Sequence, residues 1–229
     1  FGQIIVAAIA IPAALTLSEP QNNSKRKSGL SDIINVLKTS LIVNVKLRNF
    51  ILFSSLIGAA TLAFAWFMQP LFIEIGLPLA FFGVMWTTLN LVVGFSAIGA
   101  HRIEKLFSEK QTTGLILIFL CLGFFATGST LSYVSFGIIF LTYIVRGIAT
   151  PVLKDYIHNL IDSDVRATVL SLRDMIIRII FAITGPLWGM IIDRRGLQSG
   201  FYISGLFFAL TGAVLYYISY FHKTRDNPS

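Results

Sequence analysis

Acid is what this chain has least of. Only 11 of its 229 residues are Asp or Glu, against 18 Lys and Arg, and charged residues together make up 13%. A soluble domain carries about 25% charged residues. With a mean hydropathy of +0.77, that shortfall excludes an ordinary soluble fold. Cysteine is nearly absent as well. Cys121 stands alone in an apolar run, so no disulfide framework or zinc site can be built within one chain. It reads as a small helix-packing residue. The three histidines, His101, His158 and His222, fall in loops or at helix ends. They form no metal pair at helical spacing and no nucleophile–base constellation. No catalytic residue, no metal site and no cofactor is expected, and the chain does not read as an enzyme.

What is abundant is apolar sequence. Hydrophobic residues make up 55%, twenty Phe among them. A hydrocarbon core about 30 Å thick needs roughly 20 residues of helix. Six stretches meet that length: Asn49–Ile73, Pro78–Ala100, Thr112–Gly128, Leu131–Leu153, Ala167–Ile192 and Ser199–Phe221. A seventh, Phe1–Leu17, has no initiator methionine and no basic flank, so it reads as the end of a truncated helix rather than a signal peptide. The domains expected are therefore a partial helix over 1–17, a linker over 18–48, a six-helix bundle over 49–221 and a tail over 222–229.

The net charge of +7 is distributed as insertion topology distributes it, not as a nucleic-acid surface. The linker holds Lys25, Arg26, Lys27, Lys38, Lys46 and Arg48. Alternate loops then hold Arg102, Lys105 and Lys110, and Lys154 and Arg166, and the tail holds Lys223 and Arg225. The opposite side has Arg194 and Arg195 alone, while Arg146, Arg173 and Arg178 fall inside spans. The positive-inside rule places the linker and the C-terminus in the cytoplasm. Within the linker, Leu30–Lys46 sets Ile33, Ile34, Leu37, Leu41 and Val45 at helical spacing. That is an amphipathic helix, either on the membrane face or packed under the bundle.

The spans differ in a regular way. The third and sixth carry almost nothing polar at their centres and are expected to face lipid. The other four carry stripes: Ser54, Gly58, Thr61, Ala65 and Gln69; Gly83, Trp86, Asn90, Gly94 and Ala97; Ser135, Ile139, Thr142, Arg146 and Thr150; Asp174, Arg178, Phe181, Gly185 and Trp188. Small and polar residues at such spacing let helices pack closely or line water. The order, two striped and one bare, occurs twice.

This three-plus-three arrangement behind a long basic loop resembles the C-terminal half of the major facilitator superfamily. Phe1–Leu17 then corresponds to the end of the sixth helix. Arg166-Ala-Thr-Val-Leu-Ser-Leu is similar to the family's entry into its eleventh helix. Gly185-Pro186-Leu-Trp-Gly189, followed by Asp193-Arg194-Arg195-Gly196, resembles its Gly-x-x-x-Asp-Arg-x-Gly loop signature and the Gly-Pro element of its drug-antiporter branch. The loop at Gly99-Ala-His101-Arg102-Ile-Glu104-Lys105 is a degraded version of that signature. The resemblance implies an all-α membrane protein, one half of a bundle built as a 3+3 inverted repeat. It also implies secondary active transport of a small molecule by alternating access. A missing N-terminal six-helix half, the lipid bilayer and a coupling proton or ion are the partners implied, in a bacterial-type plasma or inner membrane.

Candidate site residues follow from polarity at membrane depth. Trp66, Gln69, Trp86, Asn90, Tyr143, Arg146 and Trp188 offer stacking and hydrogen bonds to a substrate cavity. For each alone the competing role is helix packing or interface anchoring. Arg146 lies inside its span, where a charge pairs, contacts substrate or snorkels. Asp174 stands one turn before Arg178. A cytoplasmic gate is expected in which Asp174 latches with Arg146 or Arg178; a static ion pair between helices is the alternative. Asp174 is the sole carboxylate in mid-span, so a proton-coupled mechanism would place its key acid in the other half. Pro151 and Pro186 are expected to bend or end helices, and Gly185-x-x-x-Gly189 to allow a close contact. The rival function is a seven-helix receptor or sensor without transport. It accords less well with the long basic loop, and no mid-span Lys is available for a retinal-type Schiff base.

Overall fold

The computed structural model describes residues 35–221, together with Pro12. The partial helix expected over 1–17, most of the linker and the tail over 222–229 lie outside the described residues. Among those described, every regular element is helical. Residues 35–38 are helical and run into a π-helical turn, Thr39–Val43. Asn44 then breaks the path with an extended backbone, and its side chain accepts from Leu47 N at 2.9 Å, capping the next helix. The amphipathic helix expected to continue to Lys46 thus stops at Val43. Ser40 is buried, and Leu37 and Leu41 pack against the core, while Ile42 and Val43 stay exposed.

Helix α1 is Val45–Glu74, α2 is Phe82–Leu106, α3 is Glu109–Ser129 and α4 is Ser135–His158. Arg166–Tyr220 follows as one helical stretch of 55 residues, broken at Gly196 (φ 81°, ψ 163°). We number residues 166–195 α5 and 197–220 α6. An unbroken helix of that length would run roughly 80 Å, far more than a bilayer, and the break divides it into two membrane-length pieces. Five helical stretches, this last one included, are long and apolar enough to cross a membrane, as a multi-pass integral membrane protein requires. Their positions match the apolar segments of the sequence, with ends displaced by a few residues where polar caps and turns continue the helix. Ser108 and Gln111 form a capping box at the start of α3. Neither Pro151 nor Pro186 ends its helix.

Three pairings organise the bundle. Helix α1 runs parallel to α5: Ser54 meets Arg173, Gly58 meets Ile177 and Trp66 meets Phe181. Helix α2 runs parallel to α4, where Gly147 faces Val93 and Ser96. Helix α3 runs antiparallel to α6, with Gly114 against Tyr216, Gly212 against Leu117, Gly205 against Phe124 and Gly128 against Phe201. At five of these six glycine contacts, all but Gly114, the glycine admits a neighbour into the space a Cβ would fill, as lipid-embedded helices do without a hydrophobic drive between them.

Helix α1 is the centre, with 78% of its apolar stretch buried. Its Phe64 lies edge-on to Phe124 of α3 at 5.1 Å and to Phe201 of α6 at 5.9 Å. Phe67 adds a second contact to Phe201 at 5.1 Å. The abundance of Phe is thus spent on a T-shaped aromatic core. The bare third span, expected to face lipid, has half of its apolar stretch buried and keeps Ile118, Phe119 and Leu122 exposed on its other side, whereas only 11% of striped α2 is buried. Glycines at 114, 123 and 128 let α3 sit between α4 and α6, whereas the α2 glycines 83 and 94 meet nothing within 4 Å.

Candidate functional site

Polar groups gather at two levels of the α1–α5 interface. Near the helix starts, Arg173 is 3% exposed. Its Nε donates to Ser54 Oγ at 2.6 Å, and Nη2 reaches the Ser54 carbonyl at 3.4 Å. Nη1 donates to Asp174 Oδ1 at 2.8 Å. Ser55 Oγ in turn donates to the Arg173 carbonyl at 3.2 Å. Arg173 sits about 10 Å along the axis of α5, and its charge is held inside the bundle by the Asp174 counter-ion and by Ser54 of the neighbouring helix, while Ser55 bonds its backbone. A buried charge persists only when so partnered.

This arrangement changes the expected ion pair. Asp174 pairs with its neighbour Arg173, and neither Arg146 nor Arg178 forms a salt bridge among the described residues. The reason is burial. The Arg173 guanidinium is buried and takes the adjacent carboxylate as its counter-ion, while Arg178 is exposed on another face of α5. Arg173 was visible in the sequence as a charge inside a span. The missed signal is its phase: residues 169, 173, 177, 180, 184 and 188 share one helical face, and that face turns toward α1.

Further along the same interface lies a cleft of about 430 Å³ between the C-terminal halves of α1 and α5. Trp66, Phe181 and Trp188 all line it. The Trp66 ring lies tilted over Phe181 at 5.7 Å and is 62% exposed. Trp188 is 5% exposed, packs against Phe207 and Phe208 of α6 and has, among the described residues, no acceptor for its buried indole N–H. The Gly185-x-x-x-Gly189 element lines this cleft and makes no close helix contact: nothing lies within 4 Å of a Cβ at Gly189, and Gly185 meets its own helix's Phe181.

The remaining candidates lie elsewhere. Gln69 is exposed on α1. On α2, Asn90 is exposed and its Nδ2 donates to the Trp86 carbonyl at 2.8 Å, so these two residues are coupled through their own helix. On α4, Tyr143 is fully buried with no hydrogen bond to its hydroxyl among the described residues, and the Arg146 guanidinium lies 5.5 Å from the centre of its ring, within cation–π range. None of these lines the α1–α5 cleft. No group of three or more His, Cys, Asp or Glu is placed to hold a metal ion among the described residues.

No protein family, no curated protein and no solved structure matches the chain.

Proposed function

We propose that the chain is the C-terminal half of a secondary active transporter of the major facilitator type, moving a small molecule by alternating access. The helix pairing supports this reading. Exchange α1 with α4, α2 with α5 and α3 with α6. The parallel pair α1–α5 becomes the parallel pair α4–α2, and the antiparallel pair α3–α6 returns itself. Each exchanged pair has a glycine at its contact, Gly58 in one and Gly147 in the other. Two three-helix units related by an in-plane axis produce such a map. The faces of α2 and α5 that stay exposed (Val84, Leu91 and Phe95; Met175, Ile179 and Ile183) are the ones such a half would turn to a second half. In this reading the linker and tail are cytoplasmic and the membrane is a bacterial-type inner membrane.

Collision accessibility of spin labels tests the proposal. Labels at Gly83→Cys, Gly94→Cys and Gly189→Cys should collide with a water-soluble nickel chelate or be shielded by protein. Labels at Ile118→Cys and Leu122→Cys, exposed on α3, should collide with lipid-soluble oxygen. Oxygen-dominated collisions at both sets would make α2 and α5 lipid-facing and overturn the two-half reading.

A further inference from the structure

We infer that the cleft between α1 and α5, together with Arg178 one turn outside it, binds a planar aromatic anion. The cleft, about 430 Å³, falls within the range of small-molecule pockets. Its lining is apolar, and Trp66 and Phe181 meet in it with ring centres 5.7 Å apart. Trp66 is 62% exposed, so much of its indole is left for a further flat ring to pack on.

The negative charge of the ligand follows from the positive charge left over beside that wall. Arg178 stands one turn before Phe181 and Ala182, which both line the cleft. Residues three and four apart on a helix are neighbours on its surface. Arg178 lies about 18 Å along α5 from Arg166, deep in a hydrocarbon core about 30 Å thick. A charge at that depth calls for a partner. Yet Arg178 is exposed and makes no salt bridge and no cation–π contact among the described residues. The acid one turn before it, Asp174, is engaged with buried Arg173 at 2.8 Å. Asp193 lies about four turns further on, and α1 carries no acid before Glu74. Arg146 differs, because its guanidinium rests over the Tyr143 ring. One uncompensated guanidinium thus adjoins one aromatic wall. An aromatic carboxylate meets both, with two parallel hydrogen bonds to the guanidinium fork and its ring against the indole. Such a ligand names a substrate class for the transport reading, on which its role as cargo rests; equilibrium binding requires no transport.

The test titrates 2-aminobenzoate, which accepts energy from tryptophan, on the full chain in nanodiscs of zwitterionic lipid. Its uncharged counterpart, 2-aminobenzamide, is titrated alongside. The benzoate should saturate one site, above the linear signal of empty nanodiscs. It should bind at least about tenfold tighter than the benzamide, as hydrogen bonds to a charged group do. Arg178→Gln, at an exposed position, should bring the two ligands to one affinity, and Arg178→Lys should restore part of the preference. Phe181→Leu keeps apolar bulk and loses the ring, so it should weaken both ligands about threefold. Hexanoate, an anion without a ring, should compete at least about threefold less well than unsubstituted benzoate. A signal as linear as that of empty nanodiscs would remove the site. Equal affinity for benzoate and benzamide in the parent chain, a comparison that needs no variant to fold, would overturn the inference. A preference that survives Arg178→Gln would place the anion elsewhere and overturn it too. Hexanoate competing as well as benzoate would open the site to any carboxylate, a fatty acid included, and overturn the aromatic class. No flux is measured, so a failure here is distinct from a failure of the transport reading.

Discussion

Arg173 of α5 donates through Nε to Ser54 Oγ of α1 at 2.6 Å, joining the most buried helix of the bundle to the helix that runs beside it. Ser55, the next residue, donates to the Arg173 carbonyl. The two serines are not equivalent. Ser54 partners a buried charge, and hydrogen bonds to charged groups contribute about 1.5–3 kcal/mol against about 1 for neutral ones. Ser54→Ala should therefore lower the thermal midpoint more than Ser55→Ala. The double variant Ser54→Ala with Arg173→Met, which removes the charge along with its partner, should recover most of the loss. Equal effects of the two serine variants, or no recovery, would contradict the arrangement.

Gly147 tests the α2–α4 contact. A Cβ there would sit 2.6 Å from the Val93 carbonyl oxygen, a backbone atom that cannot swing aside. Gly147→Ala should force the helices apart at a cost of about 1–3 kcal/mol. Gly94→Ala, with nothing within 4 Å, is the matched control and should leave the melting point unchanged. The reverse order would show that the helices pair otherwise.

Gly196 is the joint between α5 and α6. Its φ of 81° and ψ of 163° fall in a region open essentially to glycine alone, and another residue held there costs about 1–3 kcal/mol. Gly196→Ala should destabilise by that amount although open space surrounds the site. A neutral Gly196→Ala in thermal unfolding would argue for a different turn.

Tyr143 makes the opposite prediction. Its hydroxyl is buried with no hydrogen bond of good geometry among the described residues, which is unfavourable by about 1–3 kcal/mol. Tyr143→Phe should unfold at the same temperature or higher. A clear loss of stability would mean that the hydroxyl has a partner, Arg146 being the nearest charge on that face.

How much of this was legible depends on what carries the signal. Apolar length is a property of the segment itself, so all six spans appear in the sequence, and the break at Gly196 falls between Ile192 and Ser199, where two spans were separated. Packing partners are not local. The bare composition of α3 says only that lipid would tolerate it; glycines at 114, 123 and 128 were the readable hint that neighbours approach it closely. Asp174 and Arg178 have the spacing of an ion pair, yet the pair formed is decided by which arginine is buried, and burial depends on α1. Trp66 and Trp188 each stand out in the sequence by the chemistry of an indole within an apolar span. Their meeting in one cleft comes from the parallel run of α1 beside α5, which a single sequence does not encode visibly.

Alternating access is the central claim, and water access at Asn90 from both faces of the membrane tests it most directly. In a Cys121→Ser background, Asn90→Cys is labelled with a membrane-impermeant maleimide in vesicles of each orientation, with Ile118→Cys on the exposed face of α3 as the lipid-facing control. Labelling of position 90 in both orientations, with position 118 protected in both, is the result predicted. Labelling of position 90 from one side alone, or protection as complete as at 118, would contradict it.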